Sequence, residues 1–211
     1  MEKTVLFFGD SNTYGANPVT GGRYPRTERF TGLVQEALGT QWHVVEEGMS
    51  GRTTVFEDPV DEGVCGLSHL CTCLRSHAPL DKLVVMLGTN DSKERFAANA
   101  KVIARGMERL IKRAMQIPCW ADKPDILVVA PVPMAEHYLQ CEASSSMGPG
   151  CREKTLALAA EYEALCKELH VDFMDAGAFV AAPHPIDGVH LSKEGHRALA
   201  QAFAAYLKER S

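Results

Sequence analysis

The chain is predicted to fold as an α/β protein, a three-layer α/β/α sandwich around a five-stranded parallel sheet. Three observations predict it. Short apolar runs alternate with longer amphipathic stretches along the 211 residues. The runs are apolar on both faces, Leu83-Val84-Val85-Met86-Leu87 above all, as strands covered by helices on each side must be. Polar segments follow the runs, and right-handed crossovers gather such segments at the carboxyl edge of the sheet, where ligands bind.

The elements follow in order. Residues 5–8 read as the first strand, leading into Gly9-Asp10-Ser11-Asn12-Thr13-Tyr14-Gly15. Residues 17–25, rich in Gly, Pro and Thr, read as a loop, and residues 28–38 as a short helix stopped by Gly39. Residues 42–45 and 83–87 are the second and third strands. Phe96, Ala100, Ile103, Met107, Leu110, Ala114 and Ile117 recur at steps of four and three, one face of a long helix ended by Pro118. Residues 126–129 form the fourth strand. Residues 131–150, with Pro, Ser and Gly, form a loop long enough to shape a substrate site. Leu158, Tyr162, Leu165 and Leu169 mark a further helix, and residues 171–173 the fifth strand. Leu199, Phe203, Tyr206 and Leu207 mark the last helix, with Ser192 as its N-cap. No repeat or linker interrupts this alternation, so one domain over residues 1–211 is expected.

Composition narrows the function. The formal charge is −5 and no basic stripe is present, which argues against nucleic acid as a partner. No polybasic cluster suggests an anionic membrane surface, and no run approaches about 18 apolar residues, the length that spans a bilayer. Residues 5–8 are too short for the core of a signal peptide, and charged Asp10 follows. Seven cysteines, an odd number, then suit reduced thiols and a cytoplasmic location. Cys71-Thr72-Cys73 has no second Cys/His pair at a zinc-like spacing. Neither a metal nor a cofactor is expected.

The chemistry centres on Ser11. A serine hydroxyl attacks an ester only when a base takes its proton and a third group orients that base. Of the eight histidines, His190 alone has an aspartate three residues earlier, Asp187, in a turn before the last helix. Acyl transfer also needs donors for the developing oxyanion. Gly51, after the second strand, offers an unobstructed backbone N–H. Asn90, in Gly88-Thr89-Asn90-Asp91 after the third strand, offers a neutral amide.

Gly9-Asp10-Ser11, Gly51, Gly88-Thr89-Asn90-Asp91 and Asp187-Gly188-Val189-His190, in that order, resemble the SGNH (GDSL) hydrolases. Glu46-Glu47-Gly48-Met49-Ser50-Gly51-Arg52-Thr53-Thr54, Asp58-Pro59 and His77-Ala78-Pro79-Leu80-Asp81 are similar to the small arylesterase/acyltransferase branch of that family. The resemblance implies a flavodoxin-like sandwich. It implies Ser11 as nucleophile, His190 as base and Asp187 as its partner. An oxyanion hole would come from the N–H groups of Ser11 and Gly51 and the side chain of Asn90. It also implies hydrolysis of short-chain, acetyl-like esters, with acyl transfer to alcohols in some members, and a homo-oligomer. The chain departs from the branch at Asn12 and Ala16, beside the nucleophile. Asn12, Tyr14, Arg52, Lys93, Phe179 and His184 are the candidates to touch a small-molecule ester, since loops carry binding residues. Asp10 is expected to brace its loop, and Arg52 and Thr53 the loop after Gly51, with a substrate contact the second reading of Arg52.

Three other readings are weighed. A carbohydrate O-deacetylase would use the same residues. A catalytically silent α/β module would bind a ligand or partner without a reactive serine. A metal-dependent phosphoesterase would use Asp10, Asp91, Asp187 and His190 as ligands.

Overall fold

A computed structural model describes residues 2–209. Five parallel strands form the sheet: β1 (Lys3–Gly9), β2 (Trp42–Gly48), β3 (Lys82–Met86), β4 (Ile126–Ala130) and β5 (Asp172–Asp175). Their order is β2-β1-β3-β4-β5, the flavodoxin-like arrangement, with the switch point between β1 and β3. The helices are α1 (Ser11–Tyr14), α2 (Phe30–Leu38), α3 (Gly66–Ser76), α4 (Ala100–Met115), α5 (Ser144–Met147), α6 (Cys151–Leu169) and α7 (Lys193–Lys208).

Strand alternation sorts the core into two layers. Val5 and Phe7 of β1, with Val84, Met86, Leu127 and Val129, face α2 and α7. Leu6 and Phe8, with Leu83, Val85, Ile126 and Val128, face α3, α4 and α6. Phe7, Phe30 and Phe203 meet at ring-centroid distances of 5.1 to 5.6 Å. Burying each such side chain stabilises the fold by about 1.5–3 kcal/mol. Trp42 is buried in β2, as a strand residue should be. At the amino edge of the sheet the fully buried Lys82 ammonium is held by Asp125 at 2.5 Å and the Tyr206 hydroxyl at 2.7 Å.

The helices differ from the sequence expectation at several points. The long helix starts at Ala100 rather than near Phe96, because the Asn99 side chain caps it by accepting from the Val102 N–H at 2.9 Å. Ala97, at φ +50°, lies in the left-handed region and breaks the turn before it. Phe96 instead stacks on Phe56. Helix α3 was not foreseen: Leu70 and Leu74 are its buried positions, but Cys71, Thr72 and Cys73 between them blur the period. At the last helix, the Ser192 hydroxyl accepts from the Gly195 N–H at 3.1 Å, the predicted cap. Residues 131–150 are not a bare loop. Glu136–Gln140 forms a tight turn, α5 follows, and Met134, Tyr138, Met147 and Cys151 pack with Val189 in a small cluster of their own.

Candidate active site

The strand register brings the site together. Gly9 is level with Gly48 of β2 and Met86 of β3, so the segments after β1, β2 and β3 leave the sheet side by side. Helix α1 starts at once, and the Asp10 carboxylate caps it by accepting from the Asn12 N–H at 2.9 Å. Gly48 lets this turn sit directly on β2: a Cβ there would lie 2.0 Å from the Tyr14 nitrogen. Gly51 has φ +83°, a conformation that costs an L side chain energy and a glycine none.

Arg52 fixes the loop behind Gly51. Its buried guanidinium donates to the Gly9 carbonyl at 3.0 Å and to the Glu47 carbonyl, and lies 4.1 Å over the Phe8 ring. The Asp91 carboxylate accepts from the Thr54 N–H at 2.9 Å and from the Thr54 hydroxyl. The Asn90 amide donates to the Arg52 carbonyl at 3.2 Å. One hydrogen of that amide is thus engaged, which fixes the orientation of the other.

The C-terminal segment closes the site from the far end of the sequence. Asp187 Oδ1 accepts from the N–H groups of Val189 at 2.9 Å and His190 at 3.0 Å. Asp187 Oδ2 lies 2.6 Å from His190 Nδ1. His190 Nε2 lies 2.9 Å from Ser11 Oγ. The chain Asp187–His190–Ser11 is therefore continuous. The Asp187 bond at Nδ1 leaves Nε2 as the nitrogen that accepts from the hydroxyl.

Electrostatics differ among the three aspartates. Burial pushes Asp10 up to about 6, and burial likewise pushes Asp91 up to about 6. At Asp187 burial also acts upward, but the hydrogen bonds from the His190 ring and the Val189 N–H outweigh it, and the pKa is lowered. Asp187 thus stays anionic beside the imidazole.

Ser11, Gly51, Asn90, Lys93, Val189 and His190 line one cavity of about 430 Å³. This places the predicted nucleophile, base and oxyanion donors around a common space, with Lys93 among them. The other candidate contacts lie elsewhere. Asn12 is buried, and its carbonyl oxygen accepts from the Leu191 N–H at 2.8 Å, clipping the C-terminal segment to α1. Tyr14 lies outside the cavity lining, under the Arg23 guanidinium, 4.4 Å from its ring centre. Arg52 stands behind the wall, as described. Phe179 is exposed and away from the cavity. His184 lines a separate hollow with Tyr24 and Lys193, and its N–H donates to the His190 carbonyl at 2.6 Å.

Arg95, which no sequence pattern singled out, also lines the cavity. Its guanidinium donates to Asp58 Oδ2 at 2.8 and 3.2 Å and to the Ser146 carbonyl at 3.0 Å. Lys93 Nζ reaches the same Asp58 oxygen at 3.2 Å. Burial raises the Asp58 pKa, but the bonds from Arg95, Val60 and Lys93 prevail and bring it to about 2. Among the described residues no three His, Cys, Asp or Glu side chains are grouped so as to hold a metal ion, the set Asp10, Asp91, Asp187 and His190 included. No helix among them is long and apolar enough to cross a membrane.

The fold is an α/β/α hydrolase sandwich with a 2-1-3-4-5 sheet, and a Ser–His–Asp chain lies at its switch point. The chain belongs to the GDSL-like lipase/acylhydrolase family, which matches residues 7–198, and within that family it resembles the arylesterase branch. The aryl esterase of M. smegmatis is 36% identical, with a TM-score of 0.90 over 98% of this chain and 99% of that one. A carbohydrate acetylesterase from Sinorhizobium meliloti is 36% identical, with a TM-score of 0.88 over the whole of both chains. The lipase/acylhydrolase from Enterococcus faecalis, 18% identical at a TM-score of 0.69, shares the fold. No curated protein sequence matches significantly.

Proposed function

We propose that this chain is a serine esterase that cleaves short-chain carboxylic esters through an acyl-enzyme. One observation carries the reading: the unbroken chain from Asp187 through His190 to Ser11, at 2.6 and 2.9 Å, opening on a cavity that Gly51 and Asn90 also line. Family membership supports ester hydrolysis; the roles below are our assignment.

His190 Nε2 takes the Ser11 proton as Oγ bonds to the ester carbonyl carbon. The carbonyl electron pair moves onto oxygen, where the N–H groups of Ser11 and Gly51 and the free Asn90 amide hydrogen receive it. The carbon–oxygen bond to the alcohol then breaks, and the proton on His190 passes to the departing oxygen. Water, deprotonated by His190, attacks the acyl group and restores the Ser11 hydroxyl. An alcohol in place of water gives acyl transfer instead. Asp187 holds the ring in one tautomer and offsets its transient positive charge.

Sugar deacetylation is a second reading, favoured by the similarity to the Sinorhizobium acetylesterase. Turnover of p-nitrophenyl acetate, abolished in Ser11→Ala, with fluorophosphonate labelling mapped to Ser11, is the expected result. Full turnover by Ser11→Ala would overturn the assignment. A panel of aryl acetates against acetylated sugars separates the two readings.

A further inference from the structure

His190 borders two cavities. The first, of about 430 Å³, holds Ser11 and the oxyanion donors. The second, of about 410 Å³, lies on the Asp187 side of the imidazole, against Asn17, Pro18, Gly21 and Gly22. Ala143, Ser145 and Ser146 line both, so residues 142–147 form a ridge between them.

The ridge is built to stay in place. Arg95 ties its Ser146 carbonyl to the buried Asp58. The Tyr138 hydroxyl donates to the Gly148 carbonyl at 2.9 Å and accepts from the Cys151 N–H at 3.1 Å. Met147 is buried beneath. The opposite wall is held as firmly. The Asn17 N–H donates to the Gly22 carbonyl at 2.9 Å, and Arg23 pairs with Glu46 at 2.9 Å.

We propose that this ridge divides the cleft by substrate part, with the acyl group in the Ser11 cavity and the alcohol in the chamber between the ridge and residues 17–22. The inference rests on the esterase reading above and adds which chamber reads which half of the ester. Its reason is the proton path. With the carbonyl carbon on Ser11 Oγ and its oxygen towards Gly51 and Asn90, the departing oxygen must meet the proton on His190. The alcohol therefore leaves along the imidazole, and of the two cavities that His190 borders, the second is the one that lacks the oxyanion donors Gly51 and Asn90.

That chamber has a definite chemistry. Glu142 lines it, is exposed, and forms no ion pair among the described residues. The Asp187 charge is already engaged with His190. The hydroxyls of Ser145 and Ser146 donate to the Glu142 and Ala143 carbonyls, at 2.8 and 3.1 Å, and keep lone pairs for a ligand. Neutral or cationic, hydrogen-bonding alcohols fit; anionic alcohols are disfavoured.

The test measures kcat/KM over two series: one acyl group with varied alcohols, and one alcohol with varied acyl chains. Glu142→Lys is expected to raise 4-acetoxybenzoate relative to phenyl acetate by about threefold to tenfold, the scale of one reversed charge near a wet surface. Gly22→Leu adds bulk where a Cβ meets nothing closer than 3.5 Å. It is expected to lower 1-naphthyl acetate relative to ethyl acetate by about tenfold. In both variants the ranking of p-nitrophenyl acetate, propionate and butyrate is expected to hold. If the acyl series reorders while the alcohol series does not, the chambers are assigned the wrong way round and the proposal falls, with the esterase reading intact. If turnover survives Ser11→Ala, both fall together.

Discussion

Asp187 on one side of the site and the pair Asp10 and Asp91 on the other are the same residue type, each within three positions of a residue assigned to the chemistry. Asp187 receives two backbone N–H groups and an imidazole, and its pKa is lowered. Asp10 receives the Asn12 N–H, Asp91 receives two donors from Thr54, and burial raises both to about 6. Each also has a buried Oδ2 without a hydrogen-bond partner among the described residues. Donors, rather than residue identity, decide whether a buried carboxylate stays charged. In the proposed mechanism, one side therefore supplies an anion for the cation that forms on His190. The other holds braces that tie the loops of Ser11, Gly51 and Asn90 together.

The largest effect should come from the anion. Asp187→Asn is expected to leave the fold intact and lower kcat by about ten-thousandfold, since the amide no longer stabilises the charged ring or its tautomer. A loss under tenfold in steady-state ester kinetics would remove Asp187 from the reaction.

Asn90→Ala, on the opposite side, is expected to lower kcat by about a hundred- to thousandfold with little change in KM, the signature of a donor used only in the transition state. A rise in KM with unchanged kcat would make Asn90 a binding residue instead.

Asn12→Ala cuts the clip between the two sides without touching the cavity. A destabilisation of about 1–3 kcal/mol in urea unfolding is expected, since the buried Leu191 N–H loses its acceptor. An unchanged midpoint would show that the clip contributes nothing.

An effect of similar size sharpens the contrast through pH. The Asp91 carboxyl has a folded pKa of about 6, above its ordinary 3.8, so the folded protein binds this proton more tightly. That contribution is complete below the unfolded value and is lost as pH rises through the folded one. Asp91→Asn removes the dependence. Relative to the parent, the variant should therefore gain about 1–3 kcal/mol between pH 4 and pH 6.5, and nothing further above. Urea titrations across that range check it, and a difference independent of pH would refute it.

Much of this was legible in the chain. Strands such as Leu83-Val84-Val85-Met86-Leu87 announce themselves because both faces are apolar. Ser11 stands out because it follows an apolar strand directly, and His190 because Asp187 lies three residues before it. Arg52 was legible as a brace of the loop after Gly51, but not its acceptor at Gly9, 43 residues away. Arg95 was not legible at all: its acceptor at Ser146 is 51 residues away, and no local period encodes such pairings. Asn12 and Phe179 illustrate the converse. Asn12 adjoins Ser11 in sequence, yet its side chain accepts from the Leu191 N–H, and Phe179 lies exposed.

Ser11 and His190 are separated by 179 positions, so no fragment of the chain can bring them together. Both the nucleophile's turn and the segment before α7 must be docked on a finished sheet before any turnover begins. Catalysis should consequently be among the last properties to emerge during refolding and among the first to vanish when α7 detaches locally. Ester cleavage is then a reporter of global assembly, not merely of the pocket.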